Sequence, residues 1–355
     1  MIDPLDLLRH AVSIPSPSGD ERAVAAFLVS QLETFCDEAF IDGAGNAVGR
    51  VGRGPLQIYA LGHIDTVPGE VPVRLEEGKL YGRGTVDAKG PFCTALAAAS
   101  RLGPRVLDAL TLTLIGAVEE EAPSSKGARH ALKAYPQPDA VIIGEPSGWD
   151  AMTLGYKGRL VLRLTVEKAN FHSAGDDTTA AEDLVRAWQE VQAWATGIGE
   201  GGIFDRVQTS LQSFNTSSDG LKQRAEAVVG LRLPPTWPPE RTEKELVGRL
   251  IAPNIAFEIM GAEQPYRGPK DTPLTRAFRV AIRAEGGTPR FKVKTGTSDM
   301  NVVAPLWNVP MLAYGPGDSR LDHTPNEHVE VAEFERAVRV LEGVFAVLVE
   351  GVQTN

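Results

Sequence analysis

The stretch Gly62-His63-Ile64-Asp65-Thr66-Val67 decides how this chain is interpreted. It follows Gln57–Leu61, a short apolar run that is typical of a buried β-strand. Ligands of an open α/β sheet bind at the carboxyl ends of its strands, so the imidazole of His63 is expected at a binding edge. Asp65 can accept the second ring N–H of His63, which fixes the tautomer and makes the imidazole a better metal ligand.

Four further places in the sequence supply donors suited to a divalent cation. They are the Gly-rich turn that carries Asp87, the end of a predicted strand at Glu119-Glu120-Glu121, the end of another strand at Glu145, and the C-terminal loop that carries His323. Like charges that cluster in this way are unfavourable unless a cation or protons offset them. The sequence therefore indicates a metal site, although the triple acid alone is equally typical of a solvated acidic loop.

The order of these segments resembles one family of hydrolases. The motifs are Gly-His-x-Asp-Thr-Val, Gly-Arg-Gly-x-x-Asp-x-Lys-Gly, paired Glu, Gly-Glu-Pro-Ser and His-x-x-Asn-Glu. Together they are similar to the di-zinc aminoacylase, acetylornithine deacetylase and succinyl-diaminopimelate desuccinylase family, and the match covers nearly the whole chain. The combination is far more specific than any single motif. The resemblance implies an α/β fold, in which a di-zinc exopeptidase-like catalytic domain carries an inserted ferredoxin-like α+β lid or dimerisation domain.

The resemblance also implies a role for each donor residue. Two divalent ions are expected, zinc or alternatively cobalt. The implied assignment is His63 and Glu145 on one ion, Glu121 and His323 on the other, Asp87 as the bridge, Glu120 as general base and Asp65 as the partner of His63. A register shifted by one residue would instead make Glu119 the base and Glu120 the ligand, and the sequence leaves both registers open.

Strand-like and helical segments alternate to about Leu154, as expected for an α/β core. Ser18 and Glu21 predict a capping box for a helix that runs to Phe35. Beyond Tyr156 the pattern becomes strand, helix, strand, strand, helix, strand, which is typical of a ferredoxin-like insert. The predicted domains are therefore residues 1–156 and 267–355 for the catalytic domain and 157–266 for the lid or dimerisation domain.

Four residues resemble the parts of the family that touch substrate. His172 matches a lid histidine that stabilises the oxyanion, often across a dimer; a surface histidine is the alternative. Arg232 matches an Asp-x-Arg segment and could bind a carboxylate, but Gly230 stands where the Asp is usual, and an exposed strand arginine is equally compatible. Thr297 and Ser298 match a turn that could hold a substrate carboxylate, and an ordinary helix N-cap at Ser298 or Asp299 is compatible with this role.

Composition excludes several other classes of protein. The chain has 355 residues and a net charge of −10, which argues against nucleic-acid binding. No apolar run of about 20 residues is present, and the N-terminus lacks the features of a signal peptide, so no membrane partner and a cytoplasmic location are expected. Two cysteines offer no disulfide framework. A homodimer is expected from the resemblance.

Residues 117–129 and 230–235 most resemble one branch of the family. That branch releases L-lysine, and sometimes L-ornithine, from the C-terminal glutamate of a small acidic amino-group carrier protein in lysine and arginine biosynthesis. An acidic enzyme would need a local basic surface to meet an acidic carrier. The candidates are Arg290, Lys292 and Lys294, with Lys222 and Arg224 as a second group.

Two other interpretations stay open. The same chemistry could serve an acetylornithine deacetylase or a di-zinc dipeptidase, whose substrate is a small acyl-amino acid or peptide. A noncatalytic peptide- or metabolite-binding scaffold could keep the fold without activity. Intact Glu120 and a full set of inferred ligands argue against the scaffold, because loss of one of them would be its signature.

Overall fold

The structure is a computed structural model that describes residues 2–172, 176–250 and 254–352. The helices are Pro4–Ser13 (α1), Arg22–Leu32 (α2), Lys89–Ala99 (α3), Pro104–Leu107 (α4), Lys126–Ala134 (α5), Ala180–Thr196 (α6), Pro239–Arg249 (α7), Pro273–Ala284 (α8), Asp299–Trp307 (α9) and Val331–Val352 (α10). The strands are Glu38–Ile41 (β1), Ala47–Val51 (β2), Leu56–His63 (β3), Arg74–Glu76 (β4), Lys79–Tyr81 (β5), Leu110–Ala117 (β6), Ala140–Gly144 (β7), Ala151–Tyr156 (β8), Gly158–Ala169 (β9), Gln208–Ser218 (β10), Lys222–Leu233 (β11), Ile255–Glu263 (β12), Tyr266–Arg267 (β13), Arg290–Lys294 (β14), Met311–Tyr314 (β15) and His328–Glu330 (β16).

The described residues form two compact units. Unit 1 holds residues 2–155, 268–293 and 298–352, and unit 2 holds 156–172, 176–250, 254–267 and 294–297. Unit 2 therefore differs from the predicted insert by including Tyr156, Arg267 and residues 294–297. The backbone explains part of this difference, because Lys157 N–H donates to the carbonyl of Lys294 at 3.2 Å.

Unit 1 is built on a mixed sheet whose strands run in the order β1-β2-β6-β3-β7-β15-β8. The central neighbours β6, β3, β7 and β15 are parallel. Every residue of β6 and of β7 is buried, as expected for parallel strands covered on both faces. The carboxyl ends of these strands meet at one edge, where the polar motifs follow.

Helix α3 packs closely against this edge because small residues allow it. All its residues are buried, and they include Phe92 and a run of alanines. A Cβ atom on Gly62 would lie 3.2 Å from the Cα of Gly144 and 3.4 Å from Phe92 Cβ. A side chain there would push the helix away from the ends of β3 and β7.

Unit 2 has the strand order β10-β11-β9-β12, and all neighbours are antiparallel. This order, with helices after the first and third of its strands, is that of a ferredoxin-like fold, so the predicted fold of the insert is confirmed. Alternate residues of β9 from Leu160 to Val166 pack with α6 and α7 in a core of their own. Helix α6 begins with a capping box between Thr179 and Glu182. Whether unit 2 acts as a lid or in dimerisation stays a prediction.

No helix in the described ranges is both long enough and apolar enough to cross a membrane.

Candidate metal centre

His63 is the last residue of β3, and its side chain is almost completely buried. Nδ1 lies 3.0 Å from the backbone carbonyl of Asp65 and 3.4 Å from its Oδ1. Nε2 points the other way, 3.2 Å from Asp87 Oδ1 and 3.9 Å from both Glu120 Oε2 and Glu145 Oε1. One ring nitrogen is thus held by a partner while the other faces three carboxylates, which is the arrangement of a metal-binding histidine.

The carboxylate of Asp87 lies between the two histidines. Its Oδ1 contacts His63, whereas its Oδ2 lies 3.0 Å from Nε2 of His323. The same His323 nitrogen lies 2.8 Å from Oε1 of Glu121. His63, Asp87 and Glu121 offer donor atoms within 4.8 Å of one another. Imidazole nitrogens and carboxylate oxygens around a shared carboxylate fit divalent ions such as zinc.

The loop that carries Asp87 is held by a buried carboxylate, Glu327. Its Oε1 accepts backbone N–H bonds from Gly84, Val86 and Asp87 at 2.9 to 3.1 Å. Its Oε2 accepts a hydrogen bond from Arg83 Nη1 at 2.7 Å. Glu327 was only part of a motif in the sequence, and nothing local to it indicated that it organises a loop about 240 residues away.

The three consecutive acids after β6 have separate surroundings. Glu119 has a left-handed backbone conformation with φ of 57°, and its carboxylate lies 2.6 Å from Ser124 Oγ and 3.2 Å from Lys126 Nζ. Glu120 faces His63, and Glu121 faces His323. The geometry therefore favours the register with Glu120 as base and Glu121 as ligand over the alternative in which Glu119 is the base.

Asp65 fixes the turn that presents these acids. It is fully buried and accepts the backbone N–H groups of Glu120 at 3.1 Å and Glu121 at 3.0 Å. Ser18 Oγ also donates to it at 2.7 Å. Burial opposes ionisation of Asp65, but its contact with His63 and these hydrogen bonds lower its pKa. Asp65 thus supports a histidine and both neighbouring acids at once.

The predicted capping box at Ser18 and Glu21 is wrong. Helix α2 has Glu21 at its N-cap without a side-chain cap bond, and Ser18 instead binds Asp65. The Glu21 carboxylate accepts the N–H groups of Gly19 at 2.8 Å and Glu119 at 3.2 Å. Both side chains therefore serve the candidate centre, a role that local sequence cannot reveal because the partners are far apart in the chain.

The electrostatics of the centre are those of crowded acids around two histidines. Burial, together with the nearby charges of Glu145 and Asp299, holds the pKa of Glu120 well above its usual value despite the opposing effect of His63. Burial opposes protonation of His63, but hydrogen bonds to Asp65 and Asp87 outweigh it and raise its pKa well above the usual range.

His323 and Glu121 follow the same pattern. The hydrogen bond to Asp87 raises the pKa of His323 to about 9. Burial and the charge of Asp87 raise the pKa of Glu121. Protons on these groups offset negative charge that bound cations would otherwise neutralise, so the donor set fits a cationic ligand.

Asp299 is a buried acid that the sequence suggested only as an N-cap alternative. It is the first residue of α9, and its charge is one reason that the pKa of Glu120 is raised. Ser298 is the actual N-cap of α9, in a capping box with Asn301, so the structural interpretation of Ser298 is confirmed.

The other predicted substrate residues belong to unit 2. His172 is exposed, and residues 173–175 of its motif lie outside the described residues. Arg232 Nη1 donates to Thr297 Oγ1 at 3.2 Å, so two of the predicted binding residues contact each other.

The basic residues proposed for carrier docking are largely engaged. Arg290 forms a two-pronged contact with Asp150, and Lys292 Nζ donates to the carbonyl of Ser147 at 2.6 Å. In unit 2, Arg224 binds Glu167 at 2.7 Å and Glu226 at 2.9 Å. These contacts weaken the case for either group as a strong docking surface.

Comparison with known proteins places this site in a family. Residues 60–346 match the model of peptidase family M20/M25/M40. The chain therefore belongs to this family of hydrolases, which confirms the family, the fold class and the enzyme class that the motifs indicated.

Particular relatives agree with this assignment. A protein of Deinococcus radiodurans named LysW-lysine hydrolase is 57% identical over 352 residues, which cover 98% of this chain and 97% of that protein. A protein of Saccharolobus islandicus named LysW-lysine/LysW-ornithine hydrolase is 25% identical, over 94% of this chain and 92% of that protein. The structure of an M20 family metallo-carboxypeptidase from Sulfolobus solfataricus has a TM-score of 0.79 at 18% identity, and the match covers 99% of this chain and 100% of that chain. This last likeness shows the fold.

Proposed function

We propose that this protein is a divalent-metal amide hydrolase that releases L-lysine, with L-ornithine as a second product, from the C-terminal glutamate of a small acidic carrier protein. The observation that carries the chemistry is the Asp87 carboxylate, with one oxygen toward His63 and the other toward His323. The substrate class rests on the name of the Deinococcus radiodurans relative at 57% identity. On the ground of the same relative's name, we assign this protein to amino-acid biosynthesis.

The metal assignment follows the clusters around each histidine. His63 and Glu145 would hold one ion, Glu121 and His323 the other, and Asp87 would contribute one oxygen to each. Zinc suits these donors, and cobalt is the alternative. Ions bound there would polarise the scissile carbonyl and acidify the attacking water.

Glu120 is the proposed general base. Its carboxylate lies beside the donor cluster, 3.9 Å from His63, but it is not needed to complete either ligand set. It takes a proton from the attacking water and delivers it to the leaving amine, so that the amide C–N bond breaks with a neutral amine as product. Asp65 is proposed to act indirectly: it orients His63 and accepts the backbone N–H groups of Glu120 and Glu121.

The groups that would bind substrate are His172, Arg232, Thr297 and Ser298. Arg232 offers a planar fork for a carboxylate, and the bond to Thr297 Oγ1 orients that fork. His172 would donate to the oxyanion of the tetrahedral intermediate, from a homodimer partner as the resemblance implies. A His172→Ala variant should lose about 100-fold in kcat while its sedimentation and metal content stay unchanged; unchanged kcat would remove His172 from the mechanism.

The proposal is tested by amine release from three substrates: carrier-linked lysine, acetylornithine and a dipeptide. Each is assayed with zinc-loaded, chelated and Glu120→Gln protein. Hydrolysis of carrier-linked lysine alone, lost in both controls, is the expected result. The Glu120→Gln protein should still bind its full complement of zinc, because Glu120 is not one of the proposed ligands.

The other outcomes separate the alternatives. Metal-dependent hydrolysis of acetylornithine or the dipeptide, without action on the carrier conjugate, would keep the chemistry and replace the substrate. Zinc binding without hydrolysis of any of the three would contradict the proposed function and favour the binding scaffold.

A further inference from the structure

Two arginines lie directly opposite each other on the unit 2 sheet. Arg159 of β9 and Arg232 of β11 are register partners, so their side chains leave the same face. That face is opposite to the one that packs on α6 and α7, because Leu160 and Leu231 next to them belong to the helix-covered core. Like charges in directly opposite positions destabilise a sheet, so this pair needs compensation.

A third cation lies on the same face. Lys157 is fully buried, and its Nζ donates to Gln208 Oε1 at 2.8 Å and to the carbonyl of Arg206. Burial is the main cause that lowers the pKa of Lys157 to about 8, and the positive charge of Arg232 lowers it further. The acids nearby are Glu263, the β12 register partner of Arg159, and Asp205, which lies 3.5 Å from Arg267. Cations outnumber acids here in a chain whose net charge is −10.

Arg159 differs from the other arginine of its strand. The Nε atoms of Arg159 and Arg163 are both buried and have no hydrogen-bond partner among the residues that the structure describes. Within those residues, only Arg163 of the two forms salt bridges with carboxylates. Arg163, four residues along the same strand and on the same face, lies 2.7 Å from Glu258 and 3.6 Å from Glu226. A buried guanidinium nitrogen without an acceptor costs free energy, which a bound anion would recover.

The backbone leaves room beside Arg159 at Gly261, whereas the space at Gly230 is occupied. Gly230 and Gly261 flank Val161 on the two neighbouring strands, so neither position carries a side chain. The Cβ position of Gly261 is 3.8 Å from Arg159 Nη2. At Gly230, Gln212 Nε2 lies 2.4 Å from where a Cβ would be, so an amide group fills the space of the acid that the family motif has there.

We propose that Arg159 joins Arg232 in a carboxylate-binding site on this face of unit 2. Two planar guanidinium groups match the geometry of a carboxylate, which can accept two parallel hydrogen bonds from each fork. The identity of the ligand rests on the proposed function: a lysine linked to a C-terminal glutamate carries one free carboxylate on each side of the scissile amide. The site binds one of these two groups.

Calorimetry on the full-length, zinc-loaded Glu120→Gln protein tests the proposal without turnover. The probe is a synthetic peptide that ends in glutamate with lysine amide-linked to it, both carboxylates free. Adding Arg159→Met should weaken binding by about 10- to 100-fold. Adding Arg163→Met is the matched control and should change affinity less than about twofold, because its partners are Glu258 and Glu226. Arg159→Lys keeps the charge without the fork and should recover only part of the affinity.

Two further peptides identify the carboxylate. One has the lysine carboxylate as an amide, and the other has the glutamate carboxylate as an amide. The loss caused by Arg159→Met should disappear for the peptide that lacks the group bound at this site. The proposal is overturned if Arg159→Met behaves like Arg163→Met, or if its loss is the same for all three peptides.

A second measurement is independent of the proposed function. At matched ionic strength, glutarate should raise the thermal midpoint of the wild type and of Arg163→Met. The rise should be smaller for Arg159→Met and for Arg159→Lys. This result, combined with no binding of any peptide, would keep the site and refute the proposed substrate. Equal protection of all variants, or equal protection of the wild type by sulfate, would overturn the carboxylate site.

Discussion

Replacing Glu327 should collapse the loop that presents Asp87. The Glu327 carboxylate is fully buried and accepts three backbone N–H bonds and one bond from Arg83. Glu327→Ala leaves the three backbone N–H groups without an acceptor and removes the carboxylate partner of Arg83, whose Nη1 still donates to the carbonyl of Thr324 at 3.3 Å. Removing one partner of a buried ion pair costs about 3–5 kcal/mol, and we expect a loss of about 4 kcal/mol in the free energy of unfolding. That equals about a thousandfold in the folding equilibrium.

The Glu327→Gln variant separates hydrogen bonding from charge. Burial raises the pKa of Glu327, so the folded protein does not favour its charged form. A neutral amide that keeps an acceptor oxygen toward Gly84, Val86 and Asp87 loses only the bond from Arg83, so Glu327→Gln should lose about 1–2 kcal/mol, clearly less than Glu327→Ala. Zinc affinity should follow the same order, with Glu327→Ala much weaker than Glu327→Gln.

Urea unfolding of the metal-free protein in chelator measures these losses, and hydrogen exchange of the amides at 84–87 localises them. Glu330→Ala is the control, because Glu330 lies three residues farther along the chain, at the end of β16, and forms an exposed pair with Lys79 at 3.5 Å. It should lose less than about 0.5 kcal/mol. If Glu327→Ala were as stable as this control, or if Glu327→Gln were as damaged as Glu327→Ala, the reasoning from buried acceptors would be refuted.

Three other outcomes are expected. The bond to Asp87 raises the pKa of His323 to about 9, so zinc binding below pH 9 should release protons and become stronger as the pH rises. Calorimetry in two buffers of different ionisation enthalpy measures the protons released. A zinc affinity that does not change with pH would contradict this prediction. Burial raises the pKa of both Cys36 and Cys93 to about 12, so a thiol reagent at pH 8 should label them only after denaturation, and rapid labelling of the native protein would be inconsistent. Burial lowers the pKa of Lys157 to about 8 in the folded protein, whereas an unfolded lysine has a pKa of about 10.4. Between these two pH values the unfolded chain binds one more proton than the folded protein, so the free energy of unfolding should rise with pH, by at most about 3 kcal/mol. Lys157→Met should lack this rise in urea titrations, and an identical rise would refute the assignment.

Much of the fold could be predicted from the sequence because its signals are local. Apolar runs that end in His63, Glu119 and Glu145 predicted β3, β6 and β7 to within a residue or two. The alternation of element types beyond Tyr156 predicted the ferredoxin-like order of unit 2. The same local patterns located the donor residues, since parallel strands bring their carboxyl ends to one edge whatever lies between them.

Tertiary structure decided the matters that depend on partners distant in the chain. The sequence left two registers open within Glu119-Glu120-Glu121. Glu119 contacts Ser124 and Lys126 and Glu121 contacts His323, and these contacts support the proposal that Glu120 is the base. Ser18 and Glu21 satisfied a local capping pattern, but in the structure Ser18 donates to the buried carboxylate of Asp65 and Glu21 accepts the backbone N–H of Glu119. The physical reason is that a helix cap is worth about 1 kcal/mol, whereas leaving buried donors or a buried charge unpaired costs more. Cross-strand register likewise placed Arg159 opposite Arg232, a pairing that no local pattern in the sequence encodes.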